Sequence, residues 1–469
     1  MTKTITITMT KTKEALLCAF LIFIFQFSTL NSLQAQDLTL DSCLALARHN
    51  NVEIRTSQLE MEHAREVKRQ VFTKYFPQVN LMGLGYYSAN PLIHFGIDDI
   101  QSNDMRELLQ SLYDLVATES DVQKEVSLMK RGANGSLMVA QPLYAGGRIV
   151  TGNKLASLGV EVAGLQAEMK MRDIIENIES TYYLVAGLQQ KVATVTAALT
   201  LIDSLDRTVQ LALDNGLVTR ADALQLQLKR NEMLANQQQL ASGIRLSKRM
   251  LCTQIGIEYS DALVFADPFN ENQNENQKWG DSQFPLSLPS SFSRPEARLL
   301  QLSVEAEQLQ RRLTLGEALP QLTLIGTAYY GNMIKTDASA NAVMLLSLSV
   351  PLTGWWETSH KLKQHDIRIQ EARIKQDHYN QMMSLEEEKA YSDMVDAAML
   401  MKSDSAALEI AQENYRLSVL NYQAGVITLT EVLQAQTLLL QAQNAITDRQ
   451  TTYVVARRRL MDLRNGNEK

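Results

Sequence analysis

Few residues in this chain are spaced for bond-making chemistry. His360 and His365 lie five residues apart, a step that turns two imidazoles to different faces of a helix, so they do not read as a metal-binding pair. No C-x-x-C, H-E-x-x-H, glycine-rich phosphate loop or G-x-S-x-G pattern occurs. The acidic run Glu386-Glu387-Glu388 reads as a solvated helix face rather than a metal site. No catalytic, cofactor-binding or metal-binding residue is assigned, and the expectation is a protein that is not an enzyme and carries no cofactor. Two spacings do have a physical role. Thr219 with Asp222, and Thr428 with Glu431, each form an S/T-x-x-D/E capping box, in which a hydroxyl and a carboxylate satisfy the free N–H groups of a helix start.

The elements around these boxes are written twice. The segment from Gly216 to Gln225 returns from Gly425 to Gln434, 209 residues later, and Pro142 and Pro351 share that offset. The Pro-to-Gly distance is therefore 74 residues in both halves. A second block, Pro77-Gln78 against Pro320-Gln321, keeps its own offset of 243, as does Asn51-Val52-Glu53-Ile54 against Arg294-Pro295-Glu296-Ala297. Segments that keep their length through a duplication suit a rod that must span a fixed distance.

Periodicity fills in the rods. A helix is expected over 40–75, ended by Pro77. A long helix follows from about 148 to 213. Leu188, Val192, Val195, Leu199, Ile202, Leu205, Val209 and Leu213 mark its coiled-coil seam. Gly216 stops it and a return helix runs to about 255. The second half repeats the plan, with a helix over 295–318, a long helix over about 358–423, Gly425, and a last helix to about 463. Four strands are expected, near 78–87, 136–144, 321–330 and 342–350. The last alternates Leu346, Leu348 and Val350 with Ser347 and Ser349, giving one apolar and one wet face. Pro77 to Pro142 is 65 residues and Pro320 to Pro351 is 31, so the first strand pair carries 34 extra residues. This insertion, 88–135, has a helical stretch around Met105 to Met129. Residues 1–35 read as a signal peptide, 36–265 as the first repeat, 266–293 as a polar linker, 294–464 as the second repeat and 465–469 as a polar tail.

Four short strands cannot close a barrel, and an open apolar sheet in lipid would leave its edges unsatisfied. Three copies would supply twelve strands. Tyr86, Tyr87, Tyr329 and Tyr330 at one end of the strands, and Trp355 and Trp356 past the other, suit the two interfaces of a bilayer. The basic start at Lys3, Lys11 and Lys13, the apolar run Ala15 to Phe25 and the small-residue site before Gln36 define the signal segment. That segment carries +2, so its removal takes the net charge from -7 to -9, which does not suit nucleic acid. Beyond it no run of 18 consecutive apolar residues occurs. Cys43 and Cys252 remain, each in an apolar helical pattern, which reads as two small buried residues rather than a disulfide framework.

The opening Leu38-Thr39-Leu40-Asp41 to Asn50-Asn51, the two Pro-Gln strand starts, Gln141-Pro142-Leu143 with Gly146-Gly147, Val350-Pro351-Leu352 and the two Gly-x-x-Thr turns stand in one order. In that order the chain resembles the TolC-like outer-membrane efflux proteins over nearly all of the mature length. The resemblance implies a mainly α fold with a small β part. Long antiparallel helical hairpins form a trimeric α-barrel, and four strands per chain contribute to a twelve-stranded outer-membrane β-barrel. It implies an exit duct of a tripartite efflux or type I secretion system. The duct passes drugs, toxins or proteins from an inner-membrane proton-driven or ATP-driven transporter through a periplasmic adaptor. The expected location is the outer membrane of a Gram-negative cell, with a long periplasmic extension. A soluble periplasmic coiled-coil scaffold or adaptor without a pore is the competing reading, and the four strands have no role in it.

The resemblance also places residues. Gly216, Leu217, Val218 and Thr219, with Gly425, Val426, Ile427 and Thr428, correspond to the periplasmic tip that meets the adaptor. Asp222 and Tyr422 match a tip aspartate and a gate tyrosine. Glu431 keeps the charge of a pore-lining aspartate, Gln434 loses a second, and Ile427 replaces an arginine that ties the closed tip together. Asp222, Tyr422, Glu431 and Gln434 are thus the expected constriction. A latch from arginine to carboxylate cannot form at Ile427.

Overall fold

The structure is a computed structural model. It describes residues 38–90, 93–96, 101–116, 125–128, 131–216, 218–271, 294–332 and 338–464. The expected signal segment, Leu217, most of the expected linker and the polar tail lie outside these residues. In chain order the helices are α1 (Leu40–Asn50), α2 (Val52–Phe72), α3 (Asn103–Val116), α4 (Arg148–Asp214), α5 (Arg220–Ile255), the short α6 (Pro268–Glu271), α7 (Pro295–Glu317), α8 (Gly354–Gln423) and α9 (Leu429–Arg464). The strands are β1 (Gln78–Tyr87), β2 (Ile93–Gly96), β3 (Glu125–Leu128), β4 (Arg131–Ala145), β5 (Gln321–Gly331) and β6 (Ser339–Ser349).

The first helix is two. Asn51 sits in an extended conformation between α1 and α2. Its Oδ1 accepts from the N–H groups of Glu53 and Ile54 at 2.8 and 3.0 Å, an N-cap that starts a new helix. The repeated block Asn51 to Ile54 and Arg294 to Ala297 is thus a shared helix start. The insertion also differs from the expectation. Its helix ends at Val116, and Glu125–Leu128 pairs antiparallel with Ile93–Gly96 as a separate two-stranded sheet. Val126, Ser127 and Leu128 have the period of a strand. The expected four strands are thus joined, among the described residues, by two more in a sheet of their own. The last five residues assigned to the insertion belong to β4.

The structure forms two compact units. The first holds the described residues of 1–59, 165–298 and 379–469, and the second those of 60–164 and 299–378. In the second unit the four-stranded sheet has the order β1-β4-β5-β6, antiparallel throughout. Directly opposed residues share a face. One face carries Val79 with Val139, Leu81 with Leu137, Leu324 with Leu346, Leu322 with Leu348, and Met344 over Gly326. The other carries Asn80, Asn134, Ser136, Thr323, Thr327, Tyr329, Asn341 and Ser347 among Met138, Ile325, Val343 and Leu345. Leu81 and Met344 are 83% and 76% exposed in the single chain. β1 and β6 are the sheet's edges. Pro142 falls where the β4–β5 register shifts by one residue, at a bulge that tolerates a missing N–H. Gly146 follows at φ 61°, where a Cβ would strike the Gly316 carbonyl oxygen, so only glycine fits this turn into α4.

The first unit is all helix packing. One core takes residues from α4, α5, α8 and α9, with Val195, Ile202, Val209, Leu226 and Val432 fully buried. Thus the seam read from the sequence is a core line, fully buried at its centre and half-buried at Leu188, Val192 and Leu213. α4 has an 18-residue window apolar enough to cross a membrane, although no run of consecutive apolar residues marked it. Only 39% of that window is buried in the single chain. A second core joins α1, the start of α2, α4 and the end of α5 around Ile54, Ile178 and Leu251. A third joins α8 and α9 around Met394, Tyr453 and Leu460.

The acidic run on α8 is not a solvated face. Glu387 is buried and pairs with Arg464 at 3.1 Å. Glu386 pairs with Arg294 at 3.0 Å and Arg459 at 3.3 Å, and only Glu388 is left exposed. Arginines from the α9 end and the start of α7 turn this stretch inward. Glu179 on α4 is also buried. Burial pushes its carboxyl up to about 7, although Arg458 lies 3.2 Å away and pulls the other way. Arg458 is shared with Asp462, and Glu176 and Asp41 add negative charge, so the pairing does not offset the lost hydration. The folded state therefore holds the Glu179 proton more tightly than the unfolded chain. The stability it contributes is fully present below its ordinary value and is lost as pH rises toward about 7. Glu179→Gln is expected to melt less pH-dependently than wild type between pH 5 and 8 (about the span of the shift), with the gain at the alkaline end. Equal slopes for the two proteins in thermal melts would reject this assignment.

Candidate functional site

The two interhelical turns are built alike. α4 ends as Gly216 takes φ 70° and its N–H donates to the Leu213 carbonyl at 2.9 Å. α8 ends as Gly425 takes φ 73°, its N–H donating to Tyr422 O and that of Val426 to Asn421 O, both at 2.9 Å. This pair of bonds closes a helix end, and the left-handed residue it needs is why glycine recurs. The return helices start on the capping boxes. Thr219 Oγ1 accepts from the Asp222 N–H at 3.3 Å, while Asp222 Oδ2 accepts from Thr219 N at 3.0 Å and from Thr219 Oγ1 at 2.7 Å. Glu431 Oε2 accepts from Thr428 N at 2.7 Å and Thr428 Oγ1 at 3.1 Å, and Glu431 N donates to Thr428 Oγ1 at 3.4 Å. Both carboxylates also sit at the positive end of a helix dipole.

The fold brings the two turns together. Thr430 Oγ1 on α9 donates to Gln225 Oε1 on α5 at 3.2 Å. Val218, Ile427 and Tyr422 pack against the four-helix core, and Leu429 is buried in it. Ile427, which stands where the resemblance has an arginine, is thus a core contact. Asp222 and Tyr422 come from different repeats but share one neighbourhood: the Tyr422 phenol is pushed up by burial and then by the Asp222 charge. Glu431 and Gln434 are exposed. Gln434 lines a groove between α5 and α9 with Gln225, Leu228, Lys229, Glu232 and Leu438. Leu217, expected at the tip, lies outside the described residues.

Three contacts escaped the sequence reading. Arg230 on α5 donates to Asp203 on α4 at 2.7 Å, and Lys229 pairs with Glu232 at 3.0 Å. Gln436 is buried and donates to the Ala198 carbonyl at 3.2 Å, crossing from α9 to α4. The last was findable, because a polar residue interrupts the apolar series Val432, Leu433, Leu439 and Leu440. Lys229 and Glu232 stand three apart on one helix and were findable too, whereas Arg230 and Asp203 had no local signal.

At the sheet, Tyr87 and Tyr330 are exposed at one end and Trp356 past the other. Tyr329 accepts a hydrogen bond from Asn341 at 3.1 Å. Trp355 Nε1 donates to the Ala318 carbonyl at 2.9 Å, so this indole also closes the end of α7. The histidines do not converge: His365 bonds Thr314 at 3.1 Å and faces Glu307 at 3.6 Å, while His360 is exposed. Among the described residues no group of three or more His, Cys, Asp or Glu is placed to hold a metal ion.

This arrangement, paired helical hairpins with one amphipathic sheet, is the fold of outer-membrane channels. The chain matches the outer membrane protein VceC of Vibrio cholerae with a TM-score of 0.72 and 16% identity, over 92% of this chain and 97% of that one. It matches CusC with a TM-score of 0.74 and 14% identity, over 91% and 92%. It matches the MtrE outer membrane channel of Neisseria gonorrhoeae with a TM-score of 0.69 and 16% identity, over 91% and 88%. Residues 293–466, the second repeat, match the family model of the outer membrane efflux protein. No curated protein matches the chain in sequence. The resemblance to TolC-like outer-membrane efflux proteins thus holds in family signature over the second repeat and in fold over nearly the whole chain.

The turn geometry makes Thr219 and Thr428 equivalent caps. Thr219→Ala and Thr428→Ala are each expected to cost about 0.5–2 kcal/mol, and serine at either position to restore most of it. Hydrogen exchange should report the loss as faster opening of the first turn of α5 or α9. Unchanged exchange there in the alanine variants would reject the caps.

Proposed function

We propose that this chain is the outer-membrane exit duct of a tripartite efflux or type I secretion system. It acts as a homotrimer without chemistry of its own. An inner-membrane transporter, proton-driven or ATP-driven, supplies the energy. A periplasmic adaptor links that transporter to the duct, and drugs, toxins or proteins pass through. The location is the outer membrane of a Gram-negative cell, with the helical hairpins extending into the periplasm.

The observation that carries this reading is the four-stranded sheet with one apolar face, one face that mixes polar with apolar residues, and two open edges. The apolar face fits hydrocarbon, and the mixed face, which holds the sheet's Asn, Ser and Thr residues, a wet lumen. Pairing β6 of one copy with β1 of the next closes twelve strands and leaves no edge in lipid. Tyr87 and Tyr330 at one end and Trp356 at the other fit the two bilayer interfaces. A soluble scaffold would instead leave Leu81, Met344, Leu346 and Leu348 in water.

The paired turns fit the periplasmic tip. Gly216, Val218, Thr219, Gly425, Val426, Ile427 and Thr428 form its surface toward the adaptor, and Val426 is 72% exposed there. Asp222, Tyr422, Glu431 and Gln434 form the constriction. With Ile427 half-buried against the core, apolar contact takes the place of an arginine tie in holding the tip closed. Three Glu431 carboxylates around a threefold axis favour cations.

Two measurements test this. Wild type is expected in the outer-membrane fraction and, unheated, as a trimer on denaturing gels that collapses to monomer on boiling. Met344→Arg places a charge on the lipid face, costs about 2–4 kcal/mol per chain and depletes the trimer, whereas Thr327→Arg on the other face keeps it. A soluble periplasmic monomer would sink the proposal. Separately, Glu431→Gln retains a side chain able to cap but removes the charge, so cation preference in bilayer conductance should fall. Unchanged selectivity would remove Glu431 from the constriction.

A further inference from the structure

The core that holds α1 against the end of α5 contains two thiols. Cys43 lies in the first turn of α1 and Cys252 in the last turn of α5, 209 residues apart in the sequence. The third cysteine, Cys18, lies in the expected signal segment, so these two are the whole thiol content beyond it. Cys43 is 0% and Cys252 1% exposed, and both belong to one cluster with Ala47, Ile54, Leu251 and Ile255. The charge of one is felt at the other. Hydrogen bonds to backbone carbonyls fix their register from both sides. Asn51 Nδ2 donates to the Gln254 carbonyl at 2.6 Å. Leu38 N donates to Val264 O at 2.9 Å, and Ala266 N to Leu38 O at 3.2 Å. α1 cannot slide along α5 without breaking these bonds.

We propose that Cys43 and Cys252 close as an intramolecular disulfide when the protein folds in the cell envelope, stapling the first helix to the end of the first hairpin. This rests on the envelope location proposed above. The structure holds the pair as thiols. In the reaction both S–H bonds break and one S–S bond forms. Two electrons and two protons pass to the disulfide of an envelope thiol oxidant, which leaves as a dithiol. The order of events follows from burial. In the packed cluster burial pushes the Cys43 thiol up to about 12, and Cys252 upward as well, so neither sulfur is a nucleophile there. Exchange must therefore run before the cluster seals, while the thiols are ordinary and reachable. The staple has a clear use. α1 has 11 residues, too few to stand alone as a helix, and it is the first helix of the described chain. A covalent link also constrains the unfolded chain across a long loop.

The test uses the full-length protein from membranes whose thiols are blocked at lysis. After denaturation, a maleimide mass tag is expected to add nothing before reduction and two tags per chain after it, not three if residues 1–35 have been removed. A cross-linked peptide pair spanning Cys43 and Cys252 should appear by mass spectrometry. Cys43→Ser and Cys252→Ser should each leave one taggable thiol, and each variant trimer should dissociate at a lower temperature than wild type. Reductant present during refolding should bring wild type down to them. Protein in the outer-membrane fraction that carries two free thiols overturns the disulfide and leaves the duct reading intact. Protein outside the envelope fails the duct reading instead. Refolding of the purified chain in a glutathione redox buffer then decides the bond: absence of the Cys43–Cys252 peptide overturns it.

Discussion

A strand at the edge of a sheet exposes a row of N–H and C=O groups, and hydrocarbon offers them no partner. β1 and β6 are such edges, and the sheet between them carries Leu81, Leu137, Leu346 and Met344 on one face. The proposed trimer follows from this constraint. A twelve-stranded closure satisfies both edges of every chain, and it fixes how many long hairpins must share one axis. The duplication is then economical: each chain supplies two rods of nearly the same length, 67 residues in α4 and 70 in α8.

At the two interhelical turns, the same residues serve stability and are candidates for gating. Asp222 and Glu431 complete caps on the return helices, so their carboxylates are held in place by the fold before any ion or partner arrives. A charge fixed by a cap costs little further ordering to present to a lumen. Val218 and Ile427 both pack against the apolar core, but Leu429 is buried in it where the first turn leaves Arg220 exposed. The two turns therefore share a backbone and differ at this position.

The helical core of the first unit carries more charge than its periodicity suggests. Glu387, Arg294 and Glu179 are buried, and each is met by a partner from a distant segment. Such pairs repay their desolvation only when the geometry is good, so they act more as locators than as sources of stability. The raised carboxyl of Glu179 marks one place where the repayment is incomplete.

Much of the fold was legible because its signals are local. The seam from Val195 to Val209, the stops at Gly216 and Gly425, the two capping boxes and the alternation in β6 each depend on residues within a few positions of one another. The reading failed where local pattern was ambiguous. Asn51 could continue a helix or cap one, and its contact with Gln254, 203 residues on, goes with the break. Glu125 to Leu128 was too short to separate from helix until Ile93 to Gly96 paired with it. Glu386 to Glu388 looked solvated because Arg294, Arg459 and Arg464 are far away in the chain.

The sequence by itself determined the rods, the turns, the duplication and the amphipathic strands, since propensity, capping and side-chain period act over one or two turns of chain. Only the tertiary structure decided which surfaces meet. It joined β4 to β5 across the repeats, linked Thr430 to Gln225, packed Ile427 against a core and brought Cys43 and Cys252 into one cluster. Those outcomes depend on long-range packing and on the partners that burial demands for polar groups, and no local spacing encodes them.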